Sequence, residues 1–188
     1  MSAGVKDGQA AVSSFDERAD LRADARTSTG LSVLQDARLL LIAVWLGAAV
    51  CFSFVVAPSA FAVLPARELA GNLVTRTLSV VNVAGFVVSL VLLASAFGGR
   101  GDGVRRAWLV ELTALALVAL TTFVGHWVIN ARLLALRRAM GRPIDAVAAD
   151  DPLRVAFNSL HGYSVNALGL AMIAALVALV LIARDLRN

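Results

Sequence analysis

Cysteine is almost missing from this chain. Cys51 stands alone, so no intrachain disulfide can form and nothing in the thiol content points to an oxidising compartment. Charge is sparse too, at 16% of residues against about 25% in soluble domains, which is too little to coat an ordinary water-facing surface. Histidine occurs twice, as His126 and His161, which leaves few imidazoles for a metal or haem centre. No serine sits in a nucleophile elbow, no close carboxylate pair stands out, and no glycine-rich loop joins a strand to a helix. The run Gly98-Gly99-Arg100-Gly101-Asp102-Gly103 lacks the lysine of a phosphate loop and reads as a tight turn. Residues 1–35 contain no apolar centre of a secretory signal, and their acids argue against a mitochondrial transit peptide.

What is present in excess is apolar surface, 59% of the chain, gathered into four runs: Leu39 to Leu64, Leu78 to Phe97, Ala107 to Ala131 and Tyr163 to Ala183. About 20 apolar residues cross a bilayer as a helix, because each backbone polar group must find its partner inside the segment where water is absent. The expected fold is an all-α integral membrane four-helix antiparallel bundle, with spans at about 39–64, 77–97, 107–131 and 160–183. One domain, residues 36–188, holds all four. Before it, residues 1–35 read as a disordered polar tail; the alternative is a surface helix held by the alternating charges between Asp16 and Arg26. The net charge of +4 and the basic pI sit in arginines beside the span ends, which indicates the lipid bilayer rather than nucleic acid as the partner.

Four spans put both termini on one membrane face, side A, and the first and third loops on side B. Arginines near span ends number about eight on side A and about seven on side B, so charge hardly orients the chain. The compact basic loop Gly98 to Arg106 favours cytoplasmic termini and a multi-pass place in the cell (inner) membrane. Pro58 removes a helical hydrogen bond and predicts a kink in the first span. Gly85 with Ser89, and Ala167, Ala171, Ala174, Ala175 and Ala178, form small-residue surfaces suited to close helix packing. Trp108 and Trp127 bracket the third span as interfacial tryptophans do. No breaker follows until Gly141, and Asp151-Pro152 is a helix start, so helices three and four form an overlong hairpin.

Polar residues inside a membrane are costly and mark what a span is for. Glu111, near side A and close to Arg105 and Arg106, reads as a snorkelling or paired acid. The side B half is richer: Thr122, His126 and Asn130 recur at i, i+4, i+8, facing Asn158, His161, Ser164 and Asn166 of helix four, with Asn82 in span two. Antiparallel pairing offsets the two histidines by roughly 7 Å, which weighs against one shared metal ion. A hydrogen-bond ladder between helices three and four is the structural reading, and a functional site at that face is the other.

Phe157-Asn158-Ser159-Leu160-His161-Gly162-Tyr163-Ser164 resembles an F-x-x-L-H-x-x-S segment found in small four-span membrane proteins of unknown function (domain of unknown function 4149), a family similar to transmembrane protein 205. Trp45-Leu46-Gly47, Ala57-Pro58, Ala70-Gly71 and the stretch from Asn130 to Arg137 follow the same order. Ala131 departs from the pattern, in which a proline after Asn130 would kink helix three. The distant likeness to copper-resistance D proteins implies a haem- or metal-binding alternative on His161 and/or His126. The favoured expectation is a non-enzymatic membrane protein, acting in transport, stress tolerance or as an accessory subunit, with no cofactor, and with a second copy or another membrane protein as a possible partner.

Overall fold

The structure, a computed structural model, describes Gly30 and residues 32–98 and 105–185. Four helices carry it: α1 (Ser32–Val63), α2 (Arg67–Gly98), α3 (Arg105–Met140) and α4 (Pro152–Asp185). No strand occurs among the described residues. The chain divides into two units, Met1–Ala37 and Arg38–Asn188. Most of the tail expected over residues 1–35 lies outside the described residues; Gly30 and residues 32–35 are helical. The glycine turn after Gly98 lies outside them as well.

Each helix is long and apolar enough to cross a membrane, and between 22% and 33% of its most apolar stretch is buried. The remainder faces outward: Phe54, Val63, Val80 and Ile173 are each more than 60% exposed. Water would penalise that surface and hydrocarbon does not, so the bundle is inside out relative to a soluble one only in what it exposes, not in how it packs. The chain is a multi-pass membrane protein of four helices.

Inside unit Arg38–Asn188, Ile42, Leu92, Leu115, Val118, Ala171 and Ala175 fill the side A half with essentially no exposure. Ala171, Ala174, Ala175 and Ala178 of the expected alanine stripe are buried; Ala167 sits at its edge. Gly85 does something different from the close backbone approach expected of it. The Trp45 indole lies on it, with ring atoms 2.6 Å from where a Cβ would stand. The indole Nε1 donates to the Val81 carbonyl at 2.9 Å, which ties α1 to α2 through a buried bond. Ser89 spends its hydroxyl on the Phe86 carbonyl of its own helix.

All four helices are overlong, not the last two alone. At about 1.5 Å per residue, 32 to 36 residues run to roughly 48–54 Å, against about 30 Å of hydrocarbon. The second span was expected from residue 77, with a loop before it; α2 instead starts at Arg67, and a bend at residues 64–66 is all that separates it from α1. The reason is local: Pro65 cannot continue α1, and after it Glu68 sits in the first turn of α2, where a carboxylate suits the free N–H groups.

Two π-helical segments interrupt the α pattern. The first, Phe52–Val56, comes just before Pro58, and the Ala57 N–H reaches the Phe52 carbonyl five residues back. A wider turn there absorbs the bond that Pro58 cannot make, and the helix runs on through Ala57–Val63. The second, Val124–Asn130, lies in α3 directly ahead of Ala131. The irregularity that the missing proline would have brought is present without it.

At the side B end, Gly141 closes α3 in the left-handed conformation at φ 62°. The loop then folds back with a short turn, Ile144–Ala146, and buries Val147 against Met140, Leu133, Ile129 and Phe157. Asp151 Oδ1 accepts from the Leu153 N–H at 2.8 Å and starts α4 beside Pro152, as those two residues predict. Arg154 Nη1 donates to the Val147 carbonyl at 2.5 Å and pins the loop down.

Candidate functional site

The polar residues that the sequence gathers in the side B half do not all share one place in the molecule. Thr122 is fully buried and its hydroxyl donates to the Val118 carbonyl at 2.6 Å, within its own helix. Asn166 is exposed on α4. Asn82, 3% exposed, lies over Gly125, where a Cβ would stand 3.0 Å from Nδ2. His126 is one residue further along α3: its Nδ1 shares a 3.0 Å hydrogen bond with the Ser79 hydroxyl of α2, and its ring stands nearly perpendicular to that of Trp127 with centroids 4.5 Å apart. Asn82 and His126 therefore stitch α3 to α2, not to α4.

The π segment explains the sorting. An i→i+5 turn holds one residue more than an i→i+4 turn, so a spacing of four no longer returns a side chain to the same face across Val124–Asn130. The expected ladder between helices three and four does not form. Among the described residues, no hydrogen bond joins Asn130, Asn158, His161 or Asn166 to one another.

Asn130, His161 and Ser164 do come together, with Phe157, Asn158 and Arg137 from the quoted motifs and with residues outside them. They line a cavity of about 280 Å³ at the side B end, bounded by all four helices and the α3–α4 loop. Its apolar lining is Phe61 of α1, Val74 and Leu78 of α2, Leu133 and Leu134 of α3, and Phe157 of α4. Its polar lining adds Asn158, Thr75, Arg67, Asp145 and Arg137. Phe157 and His161, one helical turn apart, present parallel rings 6.4 Å apart. Arg137 is the most tightly placed cation there. Its Nη1 donates to Asn72 Oδ1 at 2.9 Å and its Cζ lies 5.2 Å from the centre of the Phe157 ring. Gly71, buried, leaves room for the guanidinium: a Cβ there would stand 3.0 Å from Nη2. Arg67 Nη1 is 4.0 Å from Asp145 Oδ1 across the mouth.

Far from this cavity, at side A, Glu111 pairs with Arg38 of α1 rather than with Arg105 or Arg106, both of which are exposed. The two side chains are 12% and 13% exposed, and Arg38 Nε is buried with no partner. Trp108 nearby donates from Nε1 to the Ala96 carbonyl at 3.2 Å.

The histidines do not suit one shared centre. His126 is engaged with Ser79 outside the cavity that His161 lines, and among the described residues no three His, Cys, Asp or Glu side chains converge. Cys51 is exposed on α1.

A family model described as a domain of unknown function, DUF4149, matches residues 40–142. The chain belongs to the DUF4149 family. The DUF4149 match takes in the Trp45 and Gly85 seat, Asn82, His126, Asn130 and Arg137, and ends just past α3, before the α4 residues that complete the cavity. No curated protein and no solved structure matches the chain.

Proposed function

We propose that this DUF4149 protein is a non-enzymatic membrane protein that works by binding a small molecule in its side B cavity, as a transport, stress-tolerance or accessory component. The observation that carries this is the cavity itself: all four helices contribute to it, and its lining combines aliphatic and aromatic side chains with a small set of polar groups. Ionisable residues within membrane spans face the bundle interior or a cavity and mark substrate pathways. We place the termini in the cytoplasm and the cavity at the outer face of the cell membrane.

The test is to fill the cavity. Thr75→Phe, from within α2, and Asn158→Trp, from the exposed rim, are compared in gene-deleted cells with Val80→Phe, whose side chain points outward. The expected result across a panel of chemical and membrane stresses is loss of complementation in the two plugs at matched expression, with the control unaffected. Plugs that complement fully would overturn the reading. A Soret band or stoichiometric metal in the purified protein, lost in His161→Ala, would overturn it in favour of a haem- or metal-binding protein.

A further inference from the structure

We propose that the ligand of this cavity is an anionic amphiphile, its head group held by Arg137 and its chain against the apolar lining; this rests on the cavity-binding reading above. Arg137 is half-buried and fixed on three sides, by Asn72, by the Phe157 ring and by the space that Gly71 leaves. None of these contacts is negatively charged. Among the described residues no carboxylate lies within 4.0 Å of its guanidinium. The two acids in the neighbourhood are Glu68, whose field reaches Arg137 without an ion pair, and Asp145, which faces Arg67.

A guanidinium partly removed from water and lacking a counter-ion is expensive, and an incoming anion offsets that cost. Its planar fork matches carboxylate or phosphate oxygens, and three of its sides are already committed to holding it still, so little ordering remains for binding. Asn130, Ser164 and His161 line the same cavity and can complete the head-group contacts. The cavity is also lined by Val74, Leu78 and Leu133, and its apolar lining residues Phe61 and Leu134 are 48% and 38% exposed, so the apolar lining continues onto the outer surface of the bundle. At about 280 Å³ the space lies near the lower limit of ligand pockets, which suits a head group with the start of a chain and leaves the rest of the chain outside.

The full chain in phosphatidylcholine nanodiscs is titrated calorimetrically with dodecyl phosphate, dodecanoate, dodecanol, dodecyltrimethylammonium and inorganic phosphate. Dodecyl phosphate and dodecanoate are expected to bind saturably, one per chain, with the alcohol, the ammonium and inorganic phosphate weaker by roughly tenfold or more. Arg137→Gln is expected to weaken dodecyl phosphate binding by about the same factor. Should Arg137→Gln lose its fold, Asn158→Asp sets a negative charge on the exposed rim and must weaken the anions while sparing dodecanol. Dodecanol binding as tightly as dodecyl phosphate, or no saturable anion binding at all, overturns the ligand class. Inorganic phosphate binding as tightly as its dodecyl ester overturns the role of the chain and indicates a free anion. These failures differ from failure of the cavity reading: plugs that lose complementation beside absent anion binding sink the ligand class alone, whereas plugs without effect sink both.

Discussion

Gly85 is held by a neighbour that cannot step aside. Trp45 is 4% exposed, its ring atoms lie 2.6 Å from the place of a Cβ on Gly85, and its Nε1 is bonded to Val81 on the same helix. Gly85→Ala therefore forces either the indole or the helix to move, an overpacking cost of about 1–3 kcal/mol. The measurement is the SDS mole fraction at half-unfolding, read by far-UV circular dichroism. Trp45→Phe loses a buried hydrogen bond, at about 0.5–1.5 kcal/mol, but its smaller ring gives the new methyl room. The double variant should lose less than the sum of the single losses. Strict additivity would mean that the ring and Gly85 do not press on one another. The sequence signals both residues, Gly85 as a small surface and Trp45 by resemblance, yet nothing in the order of letters says that one is the seat of the other. Arg137 and Gly71 are the same case, a long side chain and a missing Cβ sixty-odd positions apart.

At the scale of the helices, periodicity is what can be read and also what misleads. The four helices, the stop at Gly141 and the start at Asp151 follow from hydropathy and capping chemistry. The i, i+4, i+8 face of Thr122, His126 and Asn130 fails because the π turn resets the phase, and no residue type announces such a turn. Deleting Val128, which is 39% exposed, should return Val124–Asn130 to the α repeat with one residue fewer and leave the rest of α3 on its present face, because the π turn already takes up that residue. Arg137 would still face Asn72. In a Cys51→Ser background, a short bis-maleimide should join Asn72→Cys to Arg137→Cys with the native α3 and with the deletion alike. Cross-linking lost in the deletion would show that the π segment does not take up an extra residue. A second bond between elements is open to the same kind of test. Arg38 and Glu111 clamp α1 to α3, and breaking a buried pair on one side strands the other charge. Glu111→Leu should cost about 3–5 kcal/mol, and Arg38→Met added to it should restore most of that, since two apolar side chains replace a buried pair at little loss. A double variant no better than Glu111→Leu would show that Arg38 has a further anionic partner.

For the whole molecule, the unequal ends are the feature that links fold to orientation. Side A is closed by aliphatic packing and the Arg38–Glu111 pair, and side B carries the cavity under the α3–α4 loop. Charge counts near the span ends barely separate the two faces, and the structure weakens the count further, because Arg38 is neutralised by Glu111 and Arg137 is fixed in the cavity wall. The positive-inside bias acts through free charges near the ends, so the short basic loop between α2 and α3 carries more weight than the totals. A reporter fused after Asn188 should then be active in the cytoplasm. The complementary measurement reads the cavity directly. Cys51 is the protein's lone cysteine, and in a Cys51→Ser background Asn158→Cys places a single thiol at the cavity rim. A membrane-impermeant maleimide should label it in intact cells, and dodecyl phosphate added first should slow that labelling. Labelling only after the cells are opened would invert the orientation, with the cavity facing the cytoplasm. Labelling from outside at a rate indifferent to dodecyl phosphate would keep the orientation and deny the amphiphile its place beside Arg137.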